Sequence, residues 1–255
     1  MEPVTEASSP DRAAHDEWRR QRVSAATAPT GKLSLVETRW FPSGTSEAEA
    51  AALTGAERAS AVGRVTVSTL DRENATTGEP EFGLRVWDAD APAIGAFEGI
   101  DTFPFDPAWV VEGEFRPAAS GQVVAFEHIR DAGSTRDHAI PGEVVFTREG
   151  QTFTLAALDN GDTLLVVFGD PTNGMGGEDG TYGPGRFLFL PLDESGETGV
   201  ARPIRIDFNR AAVPPCGFSA QFNCPLPPMQ NRLPWPVRAG EKNVRFRAGF
   251  DMYSA

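Results

Sequence analysis

The chain has 255 residues, a formal net charge of −13, 40% hydrophobic residues and 23% charged residues. This composition is typical of a globular protein, and the negative charge argues against nucleic acid or anionic membranes as partners. We expect no transmembrane helix and no signal peptide, because no segment has the required length and apolar character. The sequence therefore predicts an acidic, cytoplasmic protein, and it leaves the oligomeric state open.

The N-terminal region predicts a tail followed by two helices. The tail covers residues 1–10 and is expected to be disordered over residues 1–8. Ser9 is a suitable N-cap and Pro10 a suitable first residue for a helix over residues 10–27. On this helix, His15 is expected to be a surface histidine. A second helix is predicted over residues 46–62, with a break near Gly55.

The remaining chain alternates between apolar and polar residues, which is typical of β-strands. Turn residues at 149–151 and 159–162 predict hairpins. Strands without intervening helices favour an antiparallel sandwich or barrel, with the N-terminal helix packed outside. We predict one mainly β domain over residues 11–255, and a boundary near residue 95 is the alternative. The expected strands cover residues 32–41, 64–70, 81–87, 108–115, 122–129, 143–149, 151–158, 163–169, 186–192, 203–208 and 243–250.

A glycine-rich segment, residues 169–185, separates two of these strands. It has no phosphate-binding glycine motif, so a nucleotide cradle is not expected. Two interpretations stay open: a mobile hairpin loop, or a lid over a pocket. Tyr182 and Arg186 lie at its C-terminal end and are candidate ligand-binding residues.

The stretch from Ile206 to Lys242 concentrates prolines, polar residues and both cysteines. Cys216 and Cys224 have three possible roles: buried thiols, a disulfide, or a metal or nucleophile site. No metal is expected, because the three histidines lie far away in sequence. We therefore assign the cysteines a structural role, and no cofactor is expected.

The same stretch carries the candidate chemistry. Asp207 and Glu241 could form an acid–base pair, whose pKa values Arg210 or Lys242 would tune. Asp207 could equally cap the turn that follows its strand. The remaining candidates are hydrogen-bond donors that would orient a ligand or, alternatively, satisfy the carbonyls of the proline-rich loop. These donors are Asn209, Asn231 and Arg232, together with Arg186.

Several motifs resemble those of a known family. TYGPGRFL, IDFNRA, CPLPP, QNRL and AGEK are similar to motifs of a bacterial and archaeal family, domain of unknown function number 1684. The resemblance covers roughly residues 11–41 and 81–245. The chain departs from it at Ala212 and Val213, where the family has tyrosine and asparagine. Many members carry a segment resembling a forkhead-associated fold, but residues 42–80 are short and alanine-rich, so phosphopeptide recognition is not implied.

The resemblance implies no agreed activity, so function is inferred from the residues. We expect the stretch over 206–242 to cover one end of the β structure and to close a pocket for a small polar molecule. The first hypothesis is an acid–base enzyme that acts on this molecule. The alternatives are a non-catalytic ligand-binding module, and a structural or interaction protein whose C-terminal motif is a folding clasp.

Overall fold

A computed structural model describes residues 10–74, 77–191 and 199–253. The fold is mainly β, with 41% strand, 21% helix, antiparallel sheets and an N-terminal helix. This confirms the predicted fold class. The predicted disordered tail and the Ser9 cap lie outside the described residues.

The described residues form three α-helices: α1 (Pro10–Ala26), α2 (Glu47–Ser60) and α3 (Pro92–Ala96). Helix α2 begins with a capping box, in which Ser46 and Glu49 bond each other's backbone N–H groups. The predicted break near Gly55 is wrong, because α2 continues through this residue. A glycine inside a helix costs about 1 kcal/mol relative to alanine, and it keeps its backbone hydrogen bonds.

Thirteen strands form four antiparallel groups in the described chain. They are β1 (Leu35–Trp40), β2 (Val65–Glu73), β3 (Pro80–Asp88), β4 (Phe97–Thr102), β5 (Val110–Pro117), β6 (Val123–Glu127), β7 (Thr135–Ala139), β8 (Gly142–Arg148), β9 (Gln151–Asp159), β10 (Thr163–Phe168), β11 (Arg186–Pro191), β12 (Arg202–Asp207) and β13 (Glu241–Phe246).

The largest sheet has six strands in the order β11-β10-β9-β8-β5-β12 and curves into a half-barrel. Its two edges approach each other where Phe187 of β11 faces Ala212, five residues beyond the end of β12. The N–H of Phe187 donates to the carbonyl of Ala212 at 2.9 Å, and the N–H of Ala212 donates back at 2.8 Å. The inward-facing side chains of this sheet form the main core, which includes Val144, Val166 and Ile206.

Three smaller groups of strands complete the fold: β1-β3-β2, β4 with β13, and β6 with β7. Strands β4 and β7 are not predicted from the sequence. The sequence of β7, TRDHA, is mostly polar, and β4 contains Gly99 at a φ of +143°. Neither segment has the alternating pattern on which the prediction depends. Strand β13 begins and ends earlier than the predicted segment 243–250.

The prediction that His15 is a surface histidine is wrong. Its side chain is only 2% exposed. The ring packs near Trp18 and Phe105, and Nε2 lies 3.1 Å from the backbone oxygen of Asn209. The histidine is buried because α1 packs against the short turn Phe208–Arg210, a contact between distant parts of the chain.

Within the described part of the chain, no helix has both the length and the apolar character required to cross a bilayer.

Gly240 makes the tight turn that leads into β13. Its φ is +77°, and an added Cβ would lie 2.5 Å from the carbonyl oxygen of Ala211. Gly249 has a similar φ of +85°, but among the described residues nothing lies within 4 Å of its added Cβ. Substitution of Gly249 would introduce backbone strain alone, whereas substitution of Gly240 would introduce the same strain and a steric clash.

We expect Gly240→Ala to lower the free energy of unfolding by more than Gly249→Ala does. Both substitutions carry a strain of about 1–2 kcal/mol, and Gly240→Ala adds about 1–3 kcal/mol for the clash. Urea denaturation of the two variants measures the difference. Equal losses of stability would contradict the close approach at Gly240.

Candidate functional site

Arg186 lies at the centre of the C-terminal stretch and is fully buried. Its Nη2 is 2.8 Å from Oδ2 of Asp170, whose side chain is equally buried. The guanidinium also donates to the backbone carbonyls of Val237 at 2.8 Å and Ala239 at 2.6 Å. Burial lowers the pKa of Arg186, and the Asp170 carboxylate opposes this shift. The arginine thus holds the chain just before β13 in place.

Asn231 takes the place of missing strand-to-strand hydrogen bonds. Strands β9 and β10 pair at Leu164↔Asp159 and Leu165↔Leu158. In that register Ala156 would face Val167, but the side-chain amide of Asn231 lies between these strands. Its Oδ1 accepts from the N–H of Ala156 at 2.8 Å, and its Nδ2 donates to the carbonyls of Ala156 and Val167. This buried side chain joins the two strands where they separate.

Asp207 and Asn209 organise the end of β12. Oδ1 of Asp207 accepts hydrogen bonds from the backbone N–H and from Nδ2 of Asn209, both at 3.0 Å. The capping role predicted for Asp207 is therefore present. The Asn209 amide also bonds both the N–H and the carbonyl of Asp106. Asn209 is fully buried, and its side-chain hydrogen bonds go to the protein itself.

Glu241 fastens helix α1 to the β structure. Its carboxylate is 1% exposed and accepts two hydrogen bonds from Arg22, at 2.7 and 2.6 Å. The N–H of Val213 donates to the same carboxylate at 2.7 Å. A bidentate pair with a further N–H donor is the arrangement that compensates a buried carboxylate for lost hydration.

The cysteines are free, buried and adjacent. The backbone N–H of Cys216 lies 3.2 Å from Sγ of Cys224. The hydrogen bond between the two thiols lowers the pKa of Cys216 and, with burial, raises the pKa of Cys224. Of the three interpretations, the structure has buried thiols. In the described residues, no group of three or more side chains is arranged to hold a metal ion.

The glycine-rich segment is fastened at its base. Asp170 accepts a hydrogen bond from the hydroxyl of Thr172 at 2.6 Å, and the Thr172 and Thr181 hydroxyls are 2.8 Å apart. All three residues are buried. Tyr182 follows, and its N–H donates to the carbonyl of Lys242. The role of this segment as a lid stays a prediction.

A cleft of about 510 Å³ lies between α1 and the pair β4–β13. We call it the α1 cleft. One face of α1 supplies most of its wall, β4 supplies an apolar and a hydroxyl side chain, and β13 supplies Glu241. The lining residues are Asp16, Arg19, Arg20, Val23, Ser24, Ile100, Thr102 and Glu241. A second groove of about 360 Å³ follows the proline run and includes Arg232.

The structure gives the two predicted catalytic carboxylates separate partners. Asp207 bonds Asn209 and lies 3.7 Å from Nε of Arg210, whereas Glu241 bonds Arg22. Lys242 places its ammonium 5.2 Å from the ring of Phe103. The predicted site residues are thus spread along the stretch. Glu241 lines the α1 cleft, and Arg232 lines the groove along the proline run. The catalytic and ligand-binding roles of this set stay predictions.

Sequence reasoning missed the residues that complete these contacts. Asp170 pairs with Arg186, which lies 16 residues away in sequence. Arg22 pairs with Glu241, which lies 219 residues away. One signal for Arg22 exists in the sequence, since it shares a helical face with the apolar Ala14 and Trp18. Asp170 has no comparable signal, because a single aspartate in a glycine-rich segment also fits an exposed turn.

The two other histidines lie together beside the proline run. The rings of His128 and His138 are stacked, with centroids 5.3 Å apart, and His128 bridges to Pro225. Burial lowers the pKa of His128 to about 4, and the nearby Arg136 adds to this effect. Burial also lowers the pKa of His138. Both rings are therefore neutral near pH 7.

The fold and these contacts define a mainly β protein whose C-terminal segment is held by buried polar side chains. The family described as "Protein of unknown function (DUF1684)" matches residues 95–242, and the chain belongs to this family. A protein of Haloarcula marismortui described as uncharacterized, with a solution NMR structure, is similar to it at 31% identity and a TM-score of 0.45. That match covers 58% of this chain and 77% of the other. Among curated proteins, none matches the chain.

The histidine pair predicts how stability depends on pH. A histidine whose pKa is lower in the folded state than its unfolded value of about 6.5 stabilises the fold above that pH. This stability is lost as the pH falls toward the folded pKa of His128, about 4. We expect the urea midpoint of the protein to fall between about pH 7.5 and pH 5, and to fall less in His128→Gln. An unchanged pH dependence in the variant would show that His128 is not buried in its neutral form.

Proposed function

We propose that this protein binds a small anionic molecule in the α1 cleft. The observation that carries the proposal is the placement of Arg19 and Arg20 side by side on the wall of a cleft of about 510 Å³. This volume lies within the range of small-molecule sites. Guanidinium groups recognise carboxylate and phosphate oxygens through paired N–H donors.

Arg19 is the cation of the α1 cleft that is available to an anion. Glu241 is neutralised by its two hydrogen bonds from Arg22 and Arg20 by its pair with Glu17, so Arg19 and Asp16 are the two charges of the lining left for a ligand. Arg20 bonds the exposed Glu17, whereas Arg19 makes no ion pair with any residue in the described part of the chain. On a protein with a net charge of −13, this unpaired guanidinium is a local positive charge that can attract an anion.

The other lining groups suit a small organic acid. Ser24 and Thr102 offer hydroxyl groups, and Val23 and Ile100 offer apolar surface. Asp16 would accept a hydrogen bond from a hydroxyl or amino group of the ligand. We therefore favour a small carboxylate or phosphate monoester that carries such a donor.

An acid–base enzyme at the same cleft is the second candidate. It is favoured by Glu241, which is both a predicted catalytic carboxylate and part of the cleft lining. Binding ranks first because the carboxylate of Glu241 already accepts three hydrogen bonds from the protein. In both cases the proposed partner is a small molecule, in a cytoplasmic setting and without nucleic acid or membrane.

The test is binding of defined probes, followed by NMR spectroscopy of the backbone amides. Succinate, 3-phosphoglycerate and inorganic phosphate are titrated separately, which distinguishes carboxylate from phosphate recognition. We expect at least one probe to shift the amides of Val23 and Ile100. Arg19→Gln should weaken this binding roughly tenfold or more, because a charged hydrogen bond is lost.

Arg64→Gln is the matched control. Arg64 is also exposed and pairs with Asp90, outside the α1 cleft, so its loss should leave the affinity unchanged. Failure of all three probes to bind would overturn the proposal, as would an equal effect of the two substitutions. Steady turnover of a bound probe would favour the enzyme instead.

A further inference from the structure

The chain contains two lysines, Lys32 and Lys242, against 21 arginines. Arginine stays protonated in proteins, whereas lysine becomes a nucleophilic amine when its surroundings disfavour the charge. The environments of the two lysines therefore decide where amine chemistry is possible in this protein.

Lys32 occupies a crowded, cationic position. It begins the short turn Lys32–Ser34 and places Nζ 5.2 Å from the ring centroid of Phe218. The Cζ atom of Arg22 lies 5.7 Å from the same ring. Two cations thus share one aromatic ring.

Glu241 is the carboxylate that pairs with Arg22 in this group. Both oxygens of Glu241 accept hydrogen bonds from Arg22. Lys32 makes no ion pair or hydrogen bond with the residues that the structure describes. Its neighbours Leu33 and Val213 belong, with Phe218, to a buried apolar cluster.

These surroundings disfavour the ammonium form. The pKa of Lys32 is lowered to about 8, mainly by burial and secondly by the charge of Arg22. The charge of Glu241 acts in the opposite direction. Lys32 is half-buried, so part of the residue is exposed to solvent. With a pKa of about 8, a minor fraction of the amine is neutral near neutral pH, and this fraction is the nucleophile.

Lys242 provides an internal comparison. Its Nζ lies 5.2 Å from the ring of Phe103, the same distance as for Lys32, and it is also half-buried. No arginine shares the ring of Phe103 in the cation–ring contacts of the described chain. A second cation beside the ring is thus one geometric difference between the two lysines.

We propose that Lys32 is a site of covalent acylation, which takes acyl groups from small activated donors such as acyl phosphates and thioesters. The neutral amine nitrogen attacks the carbonyl carbon and forms an amide bond. The carbon–oxygen or carbon–sulfur bond of the donor breaks, and phosphate or thiolate leaves with the electron pair. The proton released by the amine passes to solvent.

Acylation is compatible with the fold around Lys32. The amide that forms is neutral, so the modification removes a positive charge from beside Arg22. The ion pair between Arg22 and Glu241 then has no second cation next to it. The acyl chain would extend a residue that is partly exposed to solvent. We therefore expect the acylated protein to remain folded.

The experiment uses the full chain and acetyl phosphate as the probe. Folded protein is treated near pH 7.5 for increasing times, and acetylation at Lys32 and Lys242 is quantified by peptide mass spectrometry. We expect Lys32 to react several-fold faster than Lys242, because each unit of lowered pKa raises the neutral fraction about tenfold. In urea the two rates should become equal, since the difference depends on the fold.

Two outcomes would overturn the proposal. One is a rate at Lys32 equal to or below that at Lys242 in the folded protein. The other is a preference for Lys32 that persists unchanged in urea, which would assign it to the local sequence. Lys32→Arg serves as the control, because it keeps the cation on Phe218 and should abolish the fast phase of acetylation.

Discussion

The buried ion pair between Arg186 and Asp170 is the constraint on which the C-terminal half of the structure depends. Two opposite charges, each without solvent exposure, are stable inside a protein only if their remaining hydrogen-bonding groups are satisfied. Both terminal nitrogens of Arg186 donate to backbone carbonyls of the segment before β13, while its buried Nε has no hydrogen-bond partner among the described residues. The carboxylate of Asp170 accepts hydrogen bonds from the hydroxyl of Thr172 and from the backbone N–H of Val237. The pair therefore fixes the path of the chain into β13.

The position of β13 in turn places the groups around the α1 cleft. Glu241 is the first residue of β13 and bonds Arg22 of α1, so the helix and its exposed arginines are held against β4 and β13. The polar residues of the C-terminal stretch thus serve mainly to close the fold. The surface that they position, rather than their own side chains, is where we place ligand binding.

Contacts between residues close in sequence are predicted correctly, whereas contacts between distant residues are not. The strands of the main sheet and the cap by Asp207 were predicted, because alternation and capping depend on neighbours in sequence. Asn231 and Glu241 are candidate site residues in the sequence, but their partners are not predicted. Asn231 bonds strands β9 and β10, and Glu241 bonds helix α1. The burial of His15 was missed for the same reason, since Asn209 lies 194 residues away. Local pattern carries no information about such distant contacts.

The free energy of unfolding of Asp170→Asn measures how strongly the buried ion pair holds the C-terminal segment. If the ion pair fixes the C-terminal segment, removal of one charge leaves Arg186 buried without compensation, and the protein should lose about 3–5 kcal/mol. Asp90→Asn, which breaks the exposed pair with Arg64, should cost less than about 1 kcal/mol. A loss for Asp170→Asn as small as that for Asp90→Asn would contradict the account.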